Sequence, residues 1–433
     1  MLVNAVLSAG CMSDRMIANR AQFWNPHSLP YKFLAEAKRL WELNQGTNEL
    51  TAIQAAIIIN FLYDASGMDR VGLSYGIQAI AMAHDLGIFE DSPYKKQEKA
   101  QRASFHSVGS FLLPGVKWRP TTSSAHLFSR TPPRVPLPDP STDPSWYGEF
   151  WIRYYEDSAL YPVSFPYFFS SLCGLRIIVN DITERLYGKL ESHGQLSLSE
   201  AERFKSRFDE WFGALPEPLT PRNSVLPMHL KLHLEYFSTT ASIFTPHAAA
   251  HAILSDTGKC TELAIDNTAQ DIIFNAKIRM ETLIRLYYLR HSLDAFDPFM
   301  LSFLILLGNA ASEALNRSEE IISTPDDLRS TLILCVKGLH DQRKNYYLAE
   351  VVYRLLRDRM KPDDVALLQE ATNTGSAEDD PPLLKHYIRS QWPIPIIRVD
   401  EDPNLSKLDV LVNAYTKTSQ GVASDESSRG GTP

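Results

Sequence analysis

The sequence predicts an all-α fold, a large helical bundle or array of packed α-hairpins with a Pro-rich connector and a disordered C-terminal tail. Three observations predict it. Apolar residues recur at three- and four-residue intervals through most of the 433 residues, the rhythm of helices that bury one face. No stretch sustains the two-residue alternation of a half-buried strand. Prolines and glycines stand where the rhythm stops, as at Gly87, Pro216, Pro246 and Pro362. A composition of 44% hydrophobic and 10% aromatic residues supplies a sizeable core and exceeds what a disordered chain carries.

The elements follow in chain order. Thr51-Ala-Ile-Gln54 reads as a capping box opening a helix through AAIIINFLY. A short ASGM turn leads to a second helix that Asp69 can cap and Gly87 can stop, so Thr51 to Gly87 forms an α-hairpin. Further helices are expected at 175–190, 199–215, 228–244, 266–289, 296–315, 326–342 and 345–360, with Pro216, Pro246 and Pro362 as terminators. Lys117 to Pro144 is rich in Pro, Ser and Thr and reads as an extended connector. From about Thr416 the composition is that of a disordered tail. The chain thus divides into an N-terminal helical part (1–116), a connector (117–144), a C-terminal helical part (145–360) and a variable region with the tail (361–433).

Composition also excludes function classes. Lys and Arg number 43 against 51 Asp and Glu, a net charge of −8, and no basic face is clustered enough to grip nucleic-acid phosphates. The run Tyr353 to Lys361 interleaves Asp358 and continues a helical pattern, as a solvated helix face does. Cys11, Cys173, Cys260 and Cys335 are scattered without C-x2-C spacing, the usage of a reducing compartment. The apolar start MLVNAVLSAGC lacks the leading Lys or Arg of a signal peptide. Phe299 to Gly308 is about half the roughly 18 apolar residues of a membrane span. A soluble, intracellular protein without a membrane partner is the expectation.

Several residues invite a catalytic or metal-binding reading. His84-Asp85 and His340-Asp341 are adjacent pairs of the kind that open metal-dependent phosphohydrolase sites, but further ligands are not marked. His84 also shares the stripe Leu73, Ile77, Ile80, His84, one helical face. His229/His233 and His247/His251 are two pairs at i, i+4, each placing two imidazoles on one face. That is the zinc-protease spacing, yet Leu230 and Ala248 stand where the general-base Glu belongs. A four-His zinc site remains the alternative, with Pro246 separating two helices; the bland alternative is histidines near a helix junction. The aromatic group 145–155 reads as core or lid, with a small-molecule pocket as the less favoured option. No G-x-S-x-G elbow, catalytic cysteine context or phosphate-binding glycine loop occurs. The reading is of a non-enzyme that needs no cofactor.

The order of motifs carries a resemblance. YKFLAEAKRLWELNQGTNELTAIQAAIIIN, then Gly72 through Gly87, resembles the regulatory middle-homology domain of fungal zinc-cluster transcription factors. The family pattern F-x-x-E-A-K-R-L falls on Phe33 through Leu40, L-T-x-I-Q-A on Leu50 through Ala55, and G-x-x-Y-x-x-x-A-I-x-M-A-x-x-L-G on Gly72 through Gly87. VPLPDP with Trp146-Tyr147, and LHLEYF at 232–237, continue it in a subgroup similar to nitrogen-assimilation regulators, over roughly residues 1–360. The family's zinc-cluster DNA-binding module has no counterpart here, and residues 105–131 depart from the family's aromatic helix. The resemblance implies a nuclear transcription regulator that does not bind specific DNA by itself, acting through protein partners or being a truncated form of a DNA-binding activator. Its partners would be proteins, a full-length zinc-cluster regulator or a second copy, with a small-molecule effector possible. A helical metal-dependent hydrolase using the His-Asp or four-His residues, and a helical adaptor, are the alternatives. In this reading Gly72, Gly76, Ala79 and Ala83 form a small-residue stripe against which a partner helix packs closely.

Overall fold

A computed structural model describes residues 1–44, 48–87, 149–153, 160–187, 196–256, 267–317, 324–372, 383–384, 388–390, 407–414 and 416, with the side chains of 187, 249–256, 267–268 and 317 outside that description. The described residues are overwhelmingly α-helical, as expected. They fall into two compact units, one of Met1–Thr47, Gln54–Gln78 and Ser292–Pro433, the other of Asn48–Ile53 and Ala79–His291. The connector expected at 117–144 and the tail after 416 lie outside the described residues.

In the first unit, α1 (Leu2–Ser13) packs along α2 (Leu29–Leu43). Ser28 caps α2 by accepting the Tyr31 amide, and Pro30 sits in the first turn, where its missing N–H costs nothing. The Ser8 hydroxyl on α1 donates to the Pro30 carbonyl at 2.9 Å, joining the two helices where both faces are buried. Helices α3 (Leu50–Ala65) and α4 (Asp69–Asp85) contribute their 54–78 portion. Between them Gly67, at φ +72°, makes a Schellman stop: Met68 N–H reaches Tyr63 O and Gly67 N–H reaches Asp64 O. The ASGM turn is therefore as expected. Gly87 likewise ends α4 at φ +66°. The capping box is a correction: α3 opens one residue earlier, at Leu50, so Thr51 lies inside the first turn and its hydroxyl contacts Glu49 Oε2 at 3.4 Å.

The rest of this unit is built from α9 (Met300–Arg317), α10 (Pro325–Gln342), α11 (Tyr347–Arg357) and α12 (Pro362–Thr372). Every residue of α11 except Glu350 is buried, which makes it the central helix of this unit. Pro362 is a second correction. It opens α12 instead of standing after the last helix, because proline at a first turn gives up only an amide that would be unpaired anyway; Asp363 and Asp364 then complement the helix N-terminus.

The second unit contains α5 (Phe165–Tyr187), α6 (Leu198–Gly213), a 3-10 turn (Glu217–Leu219), α7 (Pro227–Asp256) and α8 (Asn267–His291). A true capping box opens α6: Ser197 accepts the Glu200 amide while Glu200 accepts the Ser197 amide. That backbone bond, with the Arg185 guanidinium and the Ser197 hydroxyl, holds the Glu200 carboxyl at about 2. The core joins Leu175, Ile178 and Ile182 of α5, Phe204 and Phe208 of α6, Leu232, Tyr236 and Phe244 of α7, and Ala269 of α8.

Three expectations are corrected in this unit. Helix α5 begins ten residues before position 175, since Phe165, Phe169 and Cys173 continue its stacked, inward face. Of the aromatic group expected at 145–155, the described part is exposed: Trp151–Arg153 and Leu160–Pro162 pair as a two-stranded antiparallel ribbon, with Phe150 and Trp151 more than half exposed, and 145–148 and 154–155 lie outside the described residues. Pro246 does not end a helix, since α7 runs through it for 30 residues. Its ring deprives the Ser242 carbonyl of an amide. Hydroxyls around it bond the helix's own carbonyls one turn back, Thr240 to Tyr236 O, Ser242 to Ser238 O and Thr245 to Ala241 O, while Ile243 and Phe244 anchor the same turns in the core.

Candidate functional site

A buried polar constellation of the second unit lies on α5, α6 and α7. Arg176 and Glu235, 59 positions apart, form a two-pronged ion pair with both side chains about nine-tenths buried; Arg176 Nη2 to Glu235 Oε2 is 2.8 Å. Within the two turns before Glu235 on α7 lie His233 and His229, both buried. His233 Nε2 donates to the Leu219 carbonyl at 2.7 Å and His229 Nε2 to the Val163 carbonyl at 3.1 Å. Burial lowers the pKa of both, partly opposed by those carbonyls, so both imidazoles are neutral at pH 7. Tyr236 completes the group: its hydroxyl donates to Asp209 at 2.7 Å, its ring stacks on Phe212 at 4.4 Å, and burial pushes its phenol well above the ordinary range.

Chemically this arrangement fastens segments together. Each histidine ties a non-helical stretch, the end of the ribbon or the 3-10 turn, onto α7. The i, i+4 spacing is explained by that role, since both rings must emerge from one face of one helix. The four-His arrangement needed two helices meeting at Pro246. On a continuous α7, His247 stands 14 positions beyond His233, about 21 Å along the axis at a rise of 1.5 Å per residue. His247 is half-buried, and the side chain of His251 lies outside the described residues. Among the described residues, no three His, Cys, Asp or Glu side chains are grouped to hold a metal ion.

The His-Asp pairs separate in character. His84 and Asp85 are both exposed at the end of α4, where Asp85 accepts a 3.0 Å bond from Asn48. His340 is buried on α10, edge-on to Tyr353 at 5.4 Å, with Nδ1 3.2 Å from Asp341 Oδ1. Burial alone would raise the Asp341 pKa, but hydrogen bonds from His340 and Lys337 hold it below the usual range. The small-residue stripe on α4 is buried throughout, at Gly72, Gly76, Ala79 and Ala83, whereas Leu73 and Ile77 are half-buried. A Cβ on Gly72 would lie 2.9 Å from the Asn60 carbonyl oxygen of α3, so the small side faces inward.

Two constellations had no mark in the sequence. Arg176–Glu235 is one. The other, in the first unit, is Gln342 and Asn345 at the end of α10. Gln342 donates to Leu293 O at 2.6 Å and to Ala295 O, and accepts the Asp297 amide at 3.1 Å. Asn345 donates to Asp294 O at 2.9 Å and accepts from Arg20 at 2.7 Å. Together they hold the non-helical 293–297 stretch by its backbone. No local pattern announces such residues, because amides and guanidinium groups are ordinarily surface groups and only the fold brings them inside.

Among the described residues, what these contacts define is a helical body whose buried histidines, amides and ion pair fasten its segments together. No helix of the described residues is long and apolar enough to cross a membrane. Among known proteins, the chain shares part of its sequence with a fungal protein. It is 27% identical over 254 residues to the nitrogen assimilation transcription factor nit-4 of Neurospora crassa. The match covers 54% of this chain and 23% of that protein's length. No family model and no solved structure matches. The chain is a distant, partial relative of a fungal transcription factor.

Proposed function

We propose that this chain is a transcription regulator whose helical body corresponds to the regulatory domain of zinc-cluster factors and works in the nucleus through protein partners. The observation that carries the reading is the 254-residue similarity to a transcription factor. The motif order from Phe33 to Gly87 agrees with it. A full-length zinc-cluster regulator or a second copy is the partner expected, and a small-molecule effector would act through that pairing. Catalysis is not part of the proposal: His229 and His233 already spend their Nε2 protons on backbone carbonyls, which supports a structural use.

The test is to tether the full chain to a heterologous DNA-binding domain in a filamentous fungus carrying a matching reporter. Nuclear accumulation, a change in reporter output of several-fold in either direction, and co-purification of a zinc-cluster protein or of a second tagged copy are expected. A cytoplasmic chain that leaves the reporter unchanged and captures neither partner would refute the proposal.

A further inference from the structure

Helices α5 and α7 advance side by side in the same direction. Phe168 lies beside His229, their rings 6.1 Å apart, and about two turns further along both helices Arg176 meets Glu235. Asn180 and Thr239 stand four positions beyond that pair, each on the face its predecessor turns toward the other helix, so they come level on the same seam. Arg176, Asn180 and Thr239 are all more than nine-tenths buried. Yet no described group pairs with Arg176 Nε, Asn180 Nδ2 or Thr239 Oγ1. Arg176 meets the carboxylate through its two Nη atoms, which leaves Nε–H on the flank of the fork. Thr239 would ordinarily bond the carbonyl four residues back, as Thr240, Ser242 and Thr245 do. That carbonyl belongs to Glu235 and already accepts the Ser238 hydroxyl at 3.1 Å. Where Arg176 and Glu235 bridge the seam with two long side chains, the shorter Asn180 and Thr239 leave it unbridged.

Buried polar groups in folded proteins are almost always paired, so three unpaired ones on one seam mark the place of a partner. We propose that the α5–α7 seam beside the Arg176–Glu235 pair is a binding site for a small neutral oxygen compound. Its oxygen accepts from Arg176 Nε–H and Asn180 Nδ2–H, and its own hydrogen bonds to Thr239 Oγ1. The donor set fixes the class: two nitrogen donors and a hydroxyl suit an acceptor oxygen and not a metal cation. Glu235 already balances the charge on Arg176, so an anion here would be buried and uncompensated. An internal water and a small amide share the chemistry that remains. The inference rests on these pairings alone and is independent of the transcription reading.

The test is nuclear magnetic resonance on the full chain, with the Arg176 Nε–H and Asn180 Nδ2–H signals assigned by substitution. Direct cross-relaxation from water to both groups is measured, first alone and then with acetamide added as the probe amide. A long-lived water contact that acetamide leaves in place identifies water as the occupant. A contact replaced by saturating acetamide shifts at the same two groups identifies a small amide, and either result supports the site. In Asn180→Leu/Thr239→Val, which keeps the Arg176–Glu235 pair, the contact or shift at Arg176 Nε–H is expected to fall several-fold. Thr239→Ser keeps the hydroxyl and is expected to behave as the parent. The parent chain alone can refute the proposal, by showing neither a water contact nor an acetamide shift at Arg176 and Asn180. A signal at Arg176 that the folded double variant leaves unchanged would refute it as well.

Discussion

Gly72 of α4 and Asn60 of α3 meet at backbone distance: a Cβ added to Gly72 would stand 2.9 Å from the Asn60 carbonyl oxygen and 3.0 Å from Tyr63 Cβ. The crossing is closed by backbone and a Cβ atom, which cannot swing aside as the tip of a flexible side chain can. The apolar rhythm of α4 told that it packs. The stripe of small residues told how closely.

Gly72→Val is therefore expected to destabilise the protein by about 1–3 kcal/mol, the cost of overpacking a tight contact. Gly10→Ala is the control. Its Cβ would meet nothing within 4 Å on α1, so it is expected to be neutral or to stabilise by a few tenths of a kcal/mol through helix propensity. Thermal melting of the two variants beside the parent measures both.

Removing one partner of the Arg176–Glu235 pair strands a charge in the core of the second unit. Arg176→Met or Glu235→Met is expected to cost about 3–5 kcal/mol, whereas the double variant Arg176→Met/Glu235→Met recovers a large part of it. A double-mutant cycle in urea gives the coupling. Equal losses for single and double variants would show that packing, and not the pair, carries the effect.

The neutral histidines set a pH dependence. His229, His233 and His291 all have pKa values lowered by burial from 6.5. The unfolded chain binds their protons first, so stability is full above about pH 6.5 and falls as pH drops below it, down to the depressed folded values. The melting temperature is expected to fall between pH 7.5 and 5.5. In His229→Asn/His233→Asn the parent stability is lower, but its slope over that range is expected to be shallower. An unchanged slope would place the protons elsewhere.

Metal content decides the remaining alternative. With His229 and His233 bonded to Val163 and Leu219 carbonyls, elemental analysis of purified protein is expected to show no stoichiometric zinc, manganese or iron at these residues. A chelator is expected to leave the melting temperature unmoved. A stoichiometric metal lost in His229→Ala or His251→Ala would revive the hydrolase reading.

Much of the fold was legible because helices are local. Leu198–Gly213, Asn267–His291 and Pro325–Gln342 lie within two residues of their expected bounds, since a 3.6-residue rhythm and a capping residue are both written in neighbouring positions. Pro246 misled for the complementary reason. Its local meaning is a stop, but a helix can run on through a proline with one backbone bond lost, here at the Ser242 carbonyl, while hydroxyls around it, such as Thr245 to Ala241 O, bond the same turns.

By itself the sequence determined that this protein is a helical body, the bounds of several of its helices, and that the face of α4 bearing Gly72 and Gly76 accepts a close neighbour. Only the tertiary structure decided what the polar residues do. Whether His229 holds a metal or a carbonyl depends on Val163, 66 positions away; Arg176 finds its carboxylate 59 positions on; Arg389 reaches Gly67 across more than 300 residues. Local periodicity reports which side of an element is buried. The partner waiting on that side is set by how distant segments close on one another, and no neighbouring residue records it.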